Sequence, residues 1–204
     1  GKLLAMQTRQ TTTVDATHQP MKSRWWMEPK SRTAVIESAN IIGLAMLPRG
    51  KFHPFDLDTF GLGKVLQRAT TAGATRCIIG IGGSATNDGG FGMARALGWR
   101  FLKRDGSDIK RWPDLTSLHI IQPPKHRRLF DILTVAVDVQ NPLLGRNGAS
   151  HVYGPQKGFQ VTDIPLAEAA LRQLAKVWAK QNDCAAKLPG TGAAGGLGFG
   201  LHCF

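Results

Sequence analysis

The sequence lacks the patterns that build a disulfide framework or a zinc site. It has three cysteines, Cys77, Cys184 and Cys203, none of them in a CxxC pair, and its six histidines form neither HxH nor HExxH. No run of about 18 apolar residues is present, and the first residues lack the apolar core of a signal peptide. We therefore expect a protein without a membrane span, kept in the reducing cytoplasm.

Acidic residues are also scarce, since 14 Asp and Glu stand against 26 Lys and Arg, for a formal net charge of +12. Such a balance attracts phosphates, nucleic acids and anionic surfaces. The basic residues are spread over several segments, with no basic tail and no interleaved aromatic residues of the RNA-binding kind. We expect a solvated basic surface, with neither a membrane nor a nucleic acid as partner.

Strand and helix signals are both present along the chain. "TTTVDA" and "KSRWWMEP" predict an antiparallel hairpin over about 10–30, and "TAVIES" begins an α/β core over about 33–204. Helices are predicted from 59 to 71, with Asp58 or Thr59 as N-cap, and over "PLAEAALRQLAKVWAKQ". The apolar runs "RCIIGI" and "DILTVAVDV" predict strands buried on both faces. These signals favour an α/β fold with a mixed sheet flanked by helices.

The segment "GIGGSATNDGG", residues 80–90, follows the first of these apolar strands and contains five glycines. In open α/β sheets, ligands bind at the carboxyl ends of the strands, where loop N–H groups face anions. Small residues there let an anion reach the backbone, and Ser84, Thr86 and Asn87 add short hydrogen-bonding side chains. A structural turn would account for only one or two glycines, so we interpret this segment as an anion-binding loop.

Three familiar glycine motifs do not fit this loop. No Gly-Lys-Ser/Thr triplet follows it, Thr86 stands where a nucleophile elbow needs glycine, and 88–90 would interrupt the helix of a dinucleotide fingerprint. A second glycine-rich segment, "PGTGAAGGLGFG", follows a helix tail and is either another anion-binding loop or a hinge or packing segment. Gly61 and Gly63, in the first turn of the 59–71 helix, indicate either a ligand or a tight packing contact.

Two aspartates and a lysine complete the candidate site. If the two apolar strands are parallel neighbours, Asp88 and Asp138 meet at one edge of the sheet. Two carboxylates beside an anion-binding loop suit magnesium-assisted phosphoryl transfer, although a strand-terminal turn would explain Asp138 equally well. Lys157, in "YGPQKG", could supply a charge for a phosphate or carboxylate, although most loop lysines are simply solvated.

Four segments, in this order, resemble ATP-dependent bacterial glycerate kinases: "GIGGSATNDGGFGMARALG", "AVDVQNPLLG", "YGPQKG" and "PGTGAAGGLGFG". Weaker similarity extends forward to the opening hairpin. The resemblance implies a two-domain α/β enzyme that uses ATP and Mg²⁺ to phosphorylate a hydroxyl of D-glycerate, with 2-phosphoglycerate as the expected product. It also implies that residues 1–204 are a central fragment, without the N- and C-terminal parts of the family. A truncated, non-catalytic copy acting as a basic binding module is the alternative.

Carried over residue by residue, the resemblance implies catalytic roles for Asp88, Asp138 and Lys157, and both aspartates become candidate Mg²⁺ ligands. The residues that it implies for binding substrate or phosphate are Gly82, Gly83, Ser84, Thr86, Asn87, Gly89, Gly90, Asn141, Gly192, Gly195 and Gly196.

Overall fold

The computed structural model of the protein describes residues 6–126, 128–180, 182 and 185–204, so Cys184 lies outside the described residues. The strands are β1 (Gln7–Val14), β2 (Pro20–Glu28), β3 (Thr33–Glu37), β4 (Arg76–Gly80), β5 (Arg100–Leu102), β6 (Ile120–Gln122) and β7 (Ile132–Ala136). The helices are α1 (Ala39–Ile42), α2 (Phe60–Thr71), α3 (Phe91–Ala96), α4 (Ala149–Lys157), α5 (Ile164–Trp178) and α6 (Ala193–Cys203). Within these ranges, no helix has both the length and the apolar character that a bilayer crossing needs.

The predicted hairpin is present as β1 and β2, which pair in antiparallel register. The side chain of Asp15 closes its connection, because one carboxylate oxygen accepts hydrogen bonds from the N–H groups of Thr17 and Gln19 at 2.8 and 3.0 Å. The hairpin is not a separate unit, since β2 also pairs with β3.

Five strands form one mixed sheet in the order β1-β2-β3-β4-β7, which confirms the predicted fold class. β2 pairs antiparallel with both β1 and β3, whereas β3, β4 and β7 run parallel. Their register places Glu37, Gly80 and Ala136 side by side at the carboxyl ends. The loops that follow β4 and β7 therefore leave the sheet as neighbours, as the site prediction required.

The prediction that β4 and β7 are buried on both faces is wrong for this chain. Cys77 and Ile79 are buried, but Ile78 on the opposite face is 40% exposed and Ile132 is 46% exposed. The buried face shares one hydrophobic core with the apolar residues of α1 and α2. The physical reason is one-sided packing. β4 therefore alternates in burial like a strand of a sheet with one solvated face, whereas the edge strand β7 is exposed along most of its length.

Helix α2 begins one residue after its N-cap Thr59, as predicted. Its early glycines allow close packing, because a Cβ on Gly61 would lie 1.8 Å from the carbonyl oxygen of Val14. A Cβ on Gly63 would lie 2.5 Å from that of Met93. The structure thus favours the packing interpretation of both glycines over an approaching ligand.

A second hydrophobic core lies around α5 and the β5-β6 hairpin. As its spacing predicts, α5 buries Leu171, Leu174 and Trp178, and Pro165 stands in its first turn after Asp163. A 3₁₀ helix at Trp112–Ser117 packs against it. Helix α4, which ends at Lys157, packs against α5 in this core.

Candidate active site

A cavity of about 280 Å³ opens where β4 and β7 end. It is bordered by the loop after β4, the segment after β7, one side of α4 and the start of α6. Its lining residues are Leu44, Ile81, Gly82, Gly83, Ser84, Val137, Asp138, Val139, Tyr153, Gln156, Lys157, Ala193 and Ala194. Four predicted site residues thus line one cavity next to the lysine of α4, and we take this cavity as the candidate active site.

Gly82 and Gly83 present backbone to the cavity. Both are exposed, and a Cβ on Gly82 would meet no other atom within 4 Å, so nothing in the protein needs its small size. Gly83 has a positive φ of 71°. The loop is tied to the segment after α1, because the N–H of Leu44 donates to the Gly83 carbonyl at 2.8 Å. Backbone groups at Gly82 therefore face open space in a fixed loop.

The later glycines of the loop contact the protein's own backbone instead. The N–H of Gly89 donates to the carbonyl of Gly195 at 3.1 Å. A Cβ on Gly90 would lie 2.7 Å from the Cα of Gly200, and a Cβ on Gly195 would lie 2.0 Å from the carbonyl oxygen of Thr86. Two more glycines predicted for the site also have no room for a side chain. A Cβ on Gly192 would lie 2.1 Å from the carbonyl oxygen of Pro142, and a Cβ on Gly196 would lie 2.7 Å from the side chain of Leu143. Gly89, Gly90, Gly195 and Gly196 thus let the two glycine-rich segments pack together, and Gly192 packs against the segment after β7.

The start of α6 is an irregular turn at the cavity wall. Ala194, Gly195 and Gly196 all have positive φ, at 54°, 70° and 84°. Such a conformation is unfavourable for alanine and is held only where the surrounding structure fixes it. Because Ala194 also lines the cavity, the strained residue is at the candidate site. No sequence signal marked Ala194, since its neighbours are the glycines that turns normally use.

Asp88 is fully buried and accepts four hydrogen bonds. Its carboxylate accepts hydrogen bonds from the N–H and the hydroxyl of Thr59 at 3.0 and 2.8 Å. It also accepts hydrogen bonds from the N–H groups of Gly92 and Gly90 at 2.9 and 3.2 Å. Burial, and then the nearby Asp58, raise the pKa of Asp88 to about 6, against the opposing effect of these hydrogen bonds. Asp88 is absent from the cavity lining, where Asp138 is present and exposed. The structure therefore separates the two aspartates by environment.

Lys157 lies at the end of α4 and is only 6% exposed. Its ammonium donates to the carbonyl oxygen of Thr86 at 2.5 Å. Burial lowers the pKa of Lys157 to about 7, and the charge of Asp88 opposes this shift. The ammonium of Lys157 lies at the cavity wall, and Asp88 is its nearby opposite charge. An anionic ligand in the cavity can therefore interact favourably with this ammonium.

Of the remaining predicted residues, Ser84 lines the cavity, whereas Asn87, Thr86 and Asn141 lie outside its lining and form hydrogen bonds in the surrounding segments. Asn141 accepts the hydroxyl of Tyr153 at 2.7 Å and donates to the Asn147 carbonyl at 2.8 Å, which orders the segment after β7. Asn87 is buried and donates to the hydroxyl of Ser150 at 3.0 Å. The hydroxyls of Ser84 and Thr86 are hydrogen-bonded to each other at 2.9 Å.

Two residues near the site were missed by sequence reasoning. Tyr153 lines the cavity, and burial together with the Asp138 charge raises its pKa. Glu37 ends β3 and lies over Gly80, where an added Cβ would come within 2.4 Å of its carboxylate. Glu37 comes close to the site because β3 pairs with β4, and no local sequence pattern reveals that pairing. Among the described residues, no group of three or more His, Cys, Asp or Glu could hold a metal ion.

The family model for the glycerate kinase family matches residues 2–204. The chain belongs to the glycerate kinase family. It is 42% identical over 188 residues to a glycerate kinase of Halalkalibacterium halodurans, covering 90% of this chain and 50% of that protein. It is 40% identical to the glycerate 2-kinase of Escherichia coli, covering 90% of this chain and 49% of the relative.

A solved structure described as glycerate kinase 2 from Salmonella typhimurium LT2 superimposes with a TM-score of 0.93 and 35% sequence identity. The match covers 100% of this chain and 55% of that one. The chain therefore spans about half the length of the curated glycerate kinases it matches. The candidate cavity lies entirely within the part matched by the family model and by the solved structure.

Proposed function

We propose that this chain carries part of the active site of a glycerate kinase, which transfers the γ-phosphoryl group of ATP to the 2-hydroxyl of D-glycerate. The observation that carries the proposal is the cavity at the ends of β4 and β7. It combines open backbone at Gly82, the exposed carboxylate of Asp138 and the buried ammonium of Lys157. Family membership supports the reaction, and the name of the Escherichia coli relative supports the 2-hydroxyl.

Lys157 stabilises negative charge in this proposal. Phosphoryl transfer needs positioning and charge neutralisation more than covalent chemistry from the protein. A phosphate or the glycerate carboxylate beside Lys157 would favour its ammonium form, because an opposite charge offsets the effect of burial. The backbone at Gly82 and Gly83 then binds the anion from the other side of the cavity.

The residues present fit Mg²⁺ through Asp138. Mg²⁺ in kinases is usually held by one or two carboxylates together with substrate phosphates and water, so a cluster of three acidic side chains is not required. When bound, Mg²⁺ neutralises charge on the transferred phosphoryl group. Asp138 is exposed at the cavity, whereas Asp88 has its carboxylate occupied by four donors. We therefore propose Asp138 as the metal ligand and Asp88 as a positioning residue.

Asp88 positions the site through the elements it joins. Its hydrogen bonds connect the residue before α2 to the first turn of α3, and its charge lies near Lys157. Thr59, which donates to Asp88, also accepts the N–H of Met93 at 2.8 Å. This network fixes the loop that carries Gly82 at one end and contacts α6 at the other.

The test is an assay that separates 2-phosphoglycerate from 3-phosphoglycerate by ³¹P NMR. It is run on the chain and on a chimera in which residues 6–204 replace the matched part of the Bacillus subtilis glycerate kinase, a relative 40% identical to this chain. We expect 2-phosphoglycerate from the chimera and its loss in Asp138→Asn. Production of 3-phosphoglycerate would overturn the regiochemistry. A folded chimera without any turnover would overturn the proposed activity.

A further inference from the structure

The two edges of the five-stranded sheet differ in composition. β1, at one edge, reads "QTRQTTTV" and is mostly polar and exposed. At the other edge, β7 together with the next residue, Val137, reads "ILTVAV" and contains no charged side chain. Soluble proteins normally keep open edge strands short, charged or covered, because unpaired backbone groups invite pairing with another strand. β1 fits an open edge, and β7 does not.

The sheet face away from α1 and α2 is also apolar near β7. Ile78 and Ile132 on this face are 40% and 46% exposed, and Val35 beside Ile78 is half-buried. Within the described residues, both hydrophobic cores lie elsewhere. Parallel strands are normally covered on both faces by helices. This face also carries Arg76 beside Ile132 and Thr134 beside Ile78, so the interior-like part is the patch that Ile78 and Ile132 form near β7.

A groove between β7 and α6 lies on the opposite face of the sheet, the face of Cys77 and Ile79, and adjoins the same β7 edge. It has a volume of about 320 Å³, and its lining includes Leu133, Val137, Leu188 and Leu201. The first three of these side chains are 37%, 43% and 41% exposed. Val137 also lines the candidate active site, so the groove and the cavity share a wall.

We propose that this β7 surface, formed by the β7 edge, the groove and the Ile78–Ile132 face, docks the half of a glycerate kinase that the chain does not match. The lengths of the relatives argue for this occupant, because the matched relatives are about twice as long and the solved one superimposes over 55% of its own length. In this assembly a further strand pairs with β7, and helices cover Ile78 and Ile132. Through Val137, the docked half forms part of the rim of the active site.

Hydrogen exchange of the β7 amides tests this assignment directly. The isolated chain is compared with the Bacillus subtilis chimera used for the activity assay. We expect the β7 amides that face away from β4 to exchange at least about tenfold more slowly in the chimera, because they gain strand partners. Outward-facing amides of β1 should exchange equally fast in both proteins.

Substitutions provide a second readout that does not depend on activity. Ile132→Lys should leave the thermal midpoint of the isolated chain unchanged and lower that of the chimera by several degrees, because the lysine is buried only there. Thr8→Lys, on the polar edge strand, is the matched control and should change neither midpoint.

Three outcomes would overturn the proposal. The first is a chimera that is insoluble, and the second is a folded chimera whose β7 amides exchange as fast as in the isolated chain. The third is an isolated chain that already protects β7 as a dimer of twice 22.1 kDa by light scattering, since a second copy would then be the occupant. Failure of the activity assay in a folded chimera with protected β7 would leave the docking proposal intact and remove only the proposed function.

Discussion

At the residue scale, the glycines around the cavity differ in what an added methyl group would meet. Gly82→Ala places its methyl in open space at the cavity, at a position without a positive φ. We expect the free energy of unfolding to change by less than about 0.5 kcal/mol, while affinity for D-glycerate or Mg-ATP falls at least about tenfold. Urea unfolding and calorimetric titration measure the two effects. Unchanged affinity would show that no ligand approaches Gly82.

Gly90→Ala is the contrasting substitution. Its φ is 77°, and the new methyl would lie 2.7 Å from the Cα of Gly200. Strain and overpacking together predict a loss of about 2 kcal/mol or more in the free energy of unfolding. Gly106→Ala shares the positive φ, at 82°, with no atom near the added methyl, so it controls for backbone strain alone. Equal losses in both variants would contradict the packing role of Gly90.

Lys157 predicts a pH dependence of stability. Burial lowers its pKa from the ordinary lysine value of 10.5, which the unfolded chain retains, to about 7 in the folded protein. Between these values the unfolded chain holds more protons, so the contribution of Lys157 stabilises the folded state as pH rises from 7 to 10, by at most about 1.4 kcal/mol per pH unit. Lys157→Met should remove this slope in urea unfolding at pH 7 and pH 9. A slope identical to that of the wild type would refute the assignment.

The same residue predicts a pH dependence of binding. An anion binds best to the ammonium form, so the affinity for D-glycerate should fall as pH rises above 7, approaching tenfold per unit, with proton uptake on binding. Titrations in two buffers of different ionisation enthalpy measure that uptake. Binding that is independent of pH from 6 to 9 would show that Lys157 does not contact the ligand.

At the scale of elements, helix α2 gives a test against ordinary helix propensity. Replacing glycine by alanine inside a helix normally stabilises it by about 1 kcal/mol. Gly61→Ala should instead lower the free energy of unfolding by about 2 kcal/mol or more, because its methyl would overlap the carbonyl of Val14. Gln67→Ala, on the exposed side of the same helix, is the control. Stabilisation by Gly61→Ala would mean that α2 and β1 are not in close contact.

The elements also show what the sequence could predict. The hairpin, α2, α5 and the strands β4 and β7 follow from local patterns, because turn residues and periodicity act over a few positions. The function of each glycine does not, because Gly82 and Gly89 look alike until the position of α6 is known. Glu37 and Tyr153 were missed for the same reason: their proximity to the cavity arises from strand pairing and helix packing over long sequence distances.

At the scale of the whole molecule, the net charge of +12 predicts weak, non-specific attraction to nucleic acids. Binding to a DNA duplex should weaken steeply as salt rises and should not differ between sequences. Fluorescence anisotropy with two unrelated duplexes at 50 and 150 mM salt measures both properties. Tight, sequence-dependent binding at 150 mM salt would instead support a basic binding module.

The cavity lies within the part of the whole molecule that matches the family, and the proposed function requires that this cavity is the ligand site. Chemical-shift mapping tests it most directly, because it does not require this half-length chain to turn over substrate. A ¹⁵N-labelled chain is titrated with D-glycerate and then with Mg-ATP. We expect shifts clustered at Gly82, Gly83, Asp138, Lys157 and Ala194. Shifts that cluster elsewhere, or no shifts at millimolar ligand, would contradict the assignment of this cavity as the ligand site.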